Sequence, residues 1–254
     1  MGQARFNFHA ALNDFLPPAR RGAPFAHHFD GRVSIKDMIE SLGVPHTEVE
    51  AIVVNGEPVG FDYRVRDGDR IAAYPVFRSL DVSSLPALRP PAWPRDGEPR
   101  FVLDAHLGTL AGLLRMLGFD TLYRNDYDDA DLARISAEEG RILLTRDRGL
   151  LKRRQVVHGY HVWATNPEAQ IAEVLRRFDL AGRVQPFSRC LRCNGPLTPV
   201  AKETVLDRLE PLTRRYYDEF AICSTCDQVY WRGSHFQRMQ GLVERLRPAQ
   251  ATHQ

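Results

Sequence analysis

The four cysteines of this 254-residue chain stand as two matched pairs, Cys190-x2-Cys193 and Cys223-x2-Cys226. A two-residue gap lets both thiolates of a knuckle reach one ion without backbone strain. Two such knuckles make a closed, all-thiolate tetrahedral site, for which Zn2+ is the expected occupant. Four protein ligands leave no open position for water or substrate, so such a site is structural rather than catalytic. The competing assignments are a pair of disulfides or four unrelated buried thiols. The equal spacing, with no cysteine left over, favours the metal.

A second set is acidic. Asp104 ends the apolar run Phe101-Val102-Leu103, and Asp147 lies two residues past the run Arg141-Ile142-Leu143-Leu144-Thr145. Asp129 and Asp131 fall at the start of the intervening helical segment. In open parallel sheets, ligands bind outside the carboxyl ends of the strands, so these positions share one edge. Carboxylates gathered there repel one another unless a cation neutralises them. Mg2+ or Mn2+ suits such a site: each is oxygen-ligated and keeps waters that can attack phosphate. The chemistry to expect is phosphodiester hydrolysis. Asp104 and Asp147 would hold the metal directly, Asp129 directly or through water, and Asp131 would be its substitute. Arg146 and Arg148 flank Asp147 and could bind a phosphate or steady the carboxylates. Each aspartate also has a plainer use as a turn former or helix cap.

Strands and helices must alternate to position these groups. The strand at Phe101 is followed by a helix carrying Leu107, Leu110, Ala111, Leu114 and Leu117 and ended by Gly118. Phe119–Tyr123 is the next strand, and a helix capped by Asp128 or Asp129 runs to Glu139 and stops at Gly140. Arg141–Thr145 and Tyr160–Ala164 are strands. Asn166 caps a helix with Pro167 in its first turn, extending to Phe178. Such alternation implies a parallel α/β sheet over residues 100–182.

Residues 1–78 differ. Arg5-Phe6-Asn7-Phe8 alternates as a strand, a second strand ends near His28-Phe29, and Ser34 caps a helix from Ile35 to Leu42 ended by Gly43. Ala51-Ile52-Val53-Val54 is a buried strand, Asn55-Gly56 a hairpin turn into a short strand, and Asp67-Gly68-Asp69 a turn before the last strand. This order resembles the ubiquitin-like β-grasp sulfur carriers. Those carriers need a free diglycine terminus; here the last strand runs on through Pro75, so a binding or scaffolding role is expected instead. Residues 79–99 are dense in proline and read as a linker.

Charge is uneven. Residues 181–254 hold 11 basic and 7 acidic side chains, against 9 and 10 over 1–78 and 12 and 12 over 100–180. The cysteine-bearing end is therefore the part most suited to an anionic partner such as nucleic acid. Arg214-Arg215 beside Tyr216-Tyr217 could stack on unpaired bases, or the tyrosines could pack on the core. No run approaches the length of a membrane span, the first residues lack the pattern of a signal peptide, and four thiolates without further cysteines fit a reducing compartment, hence the cytoplasm.

The segment DAHLGTLAGLLRMLGFDTLYRNDYDDADLARISAEEGRILLTRDRGL, with the later CLRC, CSTC and YWRGSHFQRM, resembles the Mut-seven C-terminal RNase family. The resemblance implies a PIN-like nuclease domain of three layers, α/β/α, over 100–182 and a zinc ribbon with a C-terminal helix over 183–254, behind an N-terminal ubiquitin-like domain. It implies a metal-dependent ribonuclease with Asp104, Asp129 and Asp147 as acidic positions, RNA as partner and a possible protein partner for the β-grasp domain. The family's basic helix after Asp104 is reduced here: Thr109, Gly112 and Leu113 stand at its basic and aromatic places, and Arg115 alone remains to bind substrate. That departure favours the alternative of a catalytically weak RNA- or protein-binding adaptor. The second knuckle lacks the glycine that follows Cys193-Asn194, so its turn is expected to differ. Ser234 is expected to cap a final helix with Phe236, Met239, Leu242 and Val243 inward and Arg238 and Arg245 outward, with His235 structural.

Overall fold

In β1 (Gly2–Phe8), Ala4, Phe6 and Phe8 are buried while their neighbours face outward, the period-2 pattern of a half-buried strand. β1 pairs antiparallel with β2 (Phe25–Phe29). The chain is a computed structural model that describes residues 1–76 and 97–233 continuously, with residues 88, 90, 91, 93, 236, 240, 241 and 244. Most of the linker expected over 79–99, and the positions Ser234, His235, Arg238, Met239, Leu242, Val243 and Arg245 of the expected final helix, lie outside the described residues.

Helix α1 (Ile35–Ser41) begins where Ser34 Oγ accepts from the Asp37 amide at 3.1 Å, and buries Ile35, Met38 and Ile39. β3 (Ala51–Val54) turns through Asn55 (φ 54°) and Gly56 (φ 97°) into β4 (Glu57–Pro58), with Val54 opposite Glu57. Both central residues need positive φ, which an Asn-Gly pair tolerates. β5 (Arg70–Tyr74) runs parallel to β1 and antiparallel to β3, giving the strand order β2-β1-β5-β3-β4 with α1 as the crossover. This is the β-grasp arrangement the residue pattern predicts. Asp69, buried before β5, accepts from Asn55 Nδ2, the Tyr63 hydroxyl and the Arg66 amide, and so fixes the loop between the last two strands.

The chain divides into two compact units: residues 1–94 with 128–161, and residues 95–127 with 162–254. In the first, α3 (Asp129–Glu139) leads to β8 (Ile142–Thr145), then α4 (Arg148–Leu151) and β9 (Gly159–His161), with β8 and β9 parallel. In the second, β6 (Arg100–Leu103) pairs parallel with β7 (Asp120–Tyr123) through α2 (Gly108–Met116). α5 (Pro167–Phe178) packs on α2, and Phe101 meets Phe119 and Phe178 edge-on at 6.1 and 5.9 Å. Asn166 Oδ1 caps α5, accepting from Glu168 and Ala169 with Pro167 in the first turn.

The strand expected over Tyr160–Ala164 stops at His161. Beyond it, the amides of Trp163 and Ala164 both donate to the Glu173 carboxylate at 2.9 Å, which takes their donors out of any ladder. The cysteine-bearing end forms a three-stranded antiparallel sheet, β10 (Leu197–Val200), β11 (Phe220–Cys223) and β12 (Val229–Trp231), over a small core of Val205, Leu209, Phe220 and Val229. No helix among the described residues is long and apolar enough to cross a membrane.

Candidate metal centre and acidic site

Each cysteine pair sits on a tight turn of the same form. The Cys190 amide donates to Gly195 O and the Asn194 amide to Cys190 O, at 2.8 and 2.9 Å. In the second knuckle, Cys223 N donates to Gln228 O and Asp227 N to Cys223 O, both at 3.0 Å. The residue after the second cysteine takes positive φ in both: Asn194 at 70° and Asp227 at 59°. The expectation of a different second turn is therefore corrected. The left-handed position falls on Asn or Asp, which tolerate it, and not on glycine. Gly195 has another role: a Cβ there would lie 2.3 Å from Thr225 Oγ1 and 2.9 Å from Cys223 Sγ, so its missing side chain lets the two knuckles close on each other.

The four Sγ atoms lie within 4.8 Å of one another, with Cys193–Cys223 at 3.3 Å and Cys190–Cys226 at 3.6 Å. A tetrahedron with zinc–sulfur bonds of about 2.3 Å has edges of about 3.8 Å, so the cluster can hold a metal such as zinc. The thiols are free, which removes the disulfide reading, and gathered, which removes that of unrelated thiols. Burial pushes the Cys190 thiol up, but hydrogen bonds from Tyr230 and the Cys193 and Arg192 amides outweigh it and bring it to about 6. Cys193 is pushed up to about 12, first by burial and further by the neighbouring thiols. Four thiols in one place ionise together only around a cation.

Three residues outside the cysteine spacing complete this centre. The Tyr230 hydroxyl accepts from the Leu191 amide at 3.0 Å and donates to Cys190 Sγ at 3.1 Å. Arg115, the expected substrate arginine, is buried at 6 % exposure and donates to Thr121 O, Leu191 O and Arg192 O. It thus acts inside the fold, bracing the first knuckle. Burial lowers its pKa from the usual arginine range, while Cys190, Cys193 and Asp120 act in the opposite direction. Asn194 Oδ1 accepts from the Thr121 amide on the side of β7 away from β6 (2.8 Å), and its Nδ2 donates to Asp120 Oδ1 (2.7 Å). Nothing in local spacing announces the contacts of Tyr230 and Asn194; Asn194, four residues after Cys190, gave only a turn signal.

The acidic residues separate by role. Asp104 is half-buried at the end of β6, and its side chain does not cap the short 3-10 turn Ala105–Leu107 that follows. Asp128 caps α3, its Oδ1 accepting from the Asp131 amide at 2.8 Å, which frees Asp129 from that task. Asp129 Oδ2 is paired with Arg153 at 3.2 Å, and Asp131 Oδ1 with Arg134 at 3.4 Å, both at the surface. Asp147 caps α4 through Oδ1, which accepts from Gly149 N at 2.6 Å, while its own amide donates to Thr145 Oγ1. Arg146 is exposed. The Arg148 guanidinium lies over the Phe15 ring, 5.1 Å from its centroid, and donates to Phe15 O at 3.3 Å. Tyr216 is 64 % exposed beside Arg215, while Tyr217 packs partly on the small core.

The chain thus combines a β-grasp module, parallel α/β pairs and a four-cysteine cluster on a three-stranded sheet. Residues 99–243 match the family model of the Mut7-C RNAse domain, and residues 1–81 that of the Mut7-C ubiquitin domain. The chain belongs to the Mut7-C RNAse domain family and carries the ubiquitin-like domain in front of it. No match was found among curated proteins or among solved structures.

Proposed function

We propose that this protein is a metal-dependent ribonuclease that hydrolyses RNA phosphodiester bonds at Asp104, Asp129 and Asp147, with Asp131 as the substitute for Asp129. The observation that carries the reading is the match of residues 99–243 to an RNase family. The local placement of the acids supports it. Asp104 follows β6 and Asp147 follows β8, each the carboxyl end of a strand in a parallel pair, where α/β sheets bind ligands. Neither Asp104 nor Asp129 serves as the helix cap that would otherwise explain it. Carboxylates suit Mg2+ or Mn2+, and a bound ion of this kind polarises a phosphoryl oxygen and lowers the pKa of its water. Arg146 would meet the phosphate from solvent. The cysteine cluster would hold structural Zn2+, consistent with a reducing, cytoplasmic setting. The domain pattern proposed is 1–78, linker 79–99, 100–182 and 183–254.

Cleavage of single-stranded and structured RNA with Mg2+ or Mn2+ tests the reading. Asp147→Asn should lower turnover at least about 100-fold, the order expected when a metal-ion or electrostatic contribution to the transition state is lost. Equal turnover in the two proteins removes the site. One observation favours the second reading, an adaptor with weak catalysis: the inward turn of Arg115 leaves the helix after Asp104 without that cation for phosphate. RNA binding that tolerates Asp104→Asn, without metal-dependent turnover, would decide for it.

A further inference from the structure

The ubiquitin-like domain does more than decorate the chain. Within the first compact unit, four of its residues meet the segment that follows Asp147. Glu48, buried on the 3-10 turn His46–Glu48, accepts from the His161 amide at 2.6 Å, on the side of β9 away from β8. His46 Nε2 donates to Val156 O at 2.9 Å. Lys152 Nζ in turn donates to Glu40 O at 2.7 Å. Phe15, at the end of the 3-10 turn Ala10–Phe15, receives Arg148 on both its ring and its carbonyl. Phe15 is 5 % exposed, and its ring also meets His161 edge-on at 5.7 Å.

Arg148 is the residue next to Asp147. A guanidinium is the best carboxylate partner a protein offers, so an arginine beside a metal-binding aspartate competes with the metal unless something else holds it. The buried Phe15 face offers a cation–π site and its carbonyl an acceptor. We propose that Phe15 of the ubiquitin-like domain is a positioning residue for the acidic site: by holding Arg148 it keeps that cation off the Asp147 carboxylate and leaves it open to a divalent metal. This rests on the reading of Asp147 as a metal-binding residue. The ubiquitin-like domain is then part of the site's machinery, and any partner that lifts Phe15 from Arg148 would weaken metal binding.

The test is calorimetric titration of the full chain with Mn2+ alone. Phe15→Leu keeps an apolar side chain and removes the π face; it should weaken Mn2+ binding about fivefold, the effect of one nearby cation in a solvated site. Phe15→Tyr should bind as the parent does. Phe15→Leu combined with Arg148→Gln should return to within about twofold of the parent, because the competing charge is gone. A merely structural role would make the double variant at least as weak as Phe15→Leu. That result, or equal affinity of Phe15→Leu and parent, overturns the proposal. Absence of Mn2+ binding by the parent would instead defeat the metal reading of Asp147. The clamp is then judged by amide exchange in metal-free protein. Phe15→Leu should speed exchange at Gly149, whose amide donates to Asp147, and unchanged exchange overturns it.

Discussion

Gly195 carries the geometry of the cysteine centre more than its place in a turn suggests. Its α-carbon faces Thr225 and Cys223 across the two knuckles, where a methyl would sit 2.3 Å from one oxygen. Gly195→Ala should therefore lower bound zinc per chain in purified protein, read by atomic absorption; full occupancy would show that the knuckles can part without loss. Asn194 is the matching polar residue. Both ends of its amide are used on β7, so Asn194→Ala leaves the Thr121 amide without its acceptor, a cost of about 1–3 kcal/mol for a buried group. The thermal midpoint should fall accordingly, with zinc content retained.

Two adjacent acids at the start of α3 do different things. Asp128 and Asp129 are adjacent and chemically alike, but Asp128 holds the start of α3 and Asp129 faces Arg153. Asp128→Ala should lower stability by about 1 kcal/mol, the usual value of an N-cap, and leave Mn2+ affinity intact, whereas Asp129→Asn should do the reverse. Denaturant unfolding and metal titration of the two variants separate the outcomes. Edge strands show a shared solution. The side of β7 away from β6 receives Asn194 of the first knuckle, and the side of β9 away from β8 receives Glu48 of the ubiquitin-like domain. An open edge presents unpaired amides that invite aggregation; on each of these edges one amide is taken by a side chain of a neighbouring module.

That pattern makes both end modules part of the stability of what lies between them. Chelation of the metal should speed amide exchange at Thr121 as well as in the knuckles, because Asn194 moves with its turn. Faster exchange confined to the knuckles on metal loss would refute the coupling. Deletion of residues 1–81 should leave the His161 amide and the Val156 carbonyl without their present partners and give a less stable, aggregation-prone product. A truncated chain as stable as the parent, by thermal unfolding and light scattering, would show the ubiquitin-like domain to be a detachable module.

Sequence alone determined what is local. The Ser34 and Asn166 caps, the Asn55-Gly56 turn, the apolar face of α2 and the paired cysteines are each defined within a few residues, where helix period, cap chemistry and knuckle spacing act directly. Tertiary structure decided what is distant. Thr121 meets Asn194 across 73 positions, His161 meets Glu48 across 113 and Arg148 meets Phe15 across 133. An arginine reads as a phosphate ligand until burial shows which carbonyls or ring it faces. Arg115 and Arg148 took their roles from surfaces that meet only after folding, because hydrogen bonds between far-separated residues depend on the packing of whole elements and leave no period in the chain.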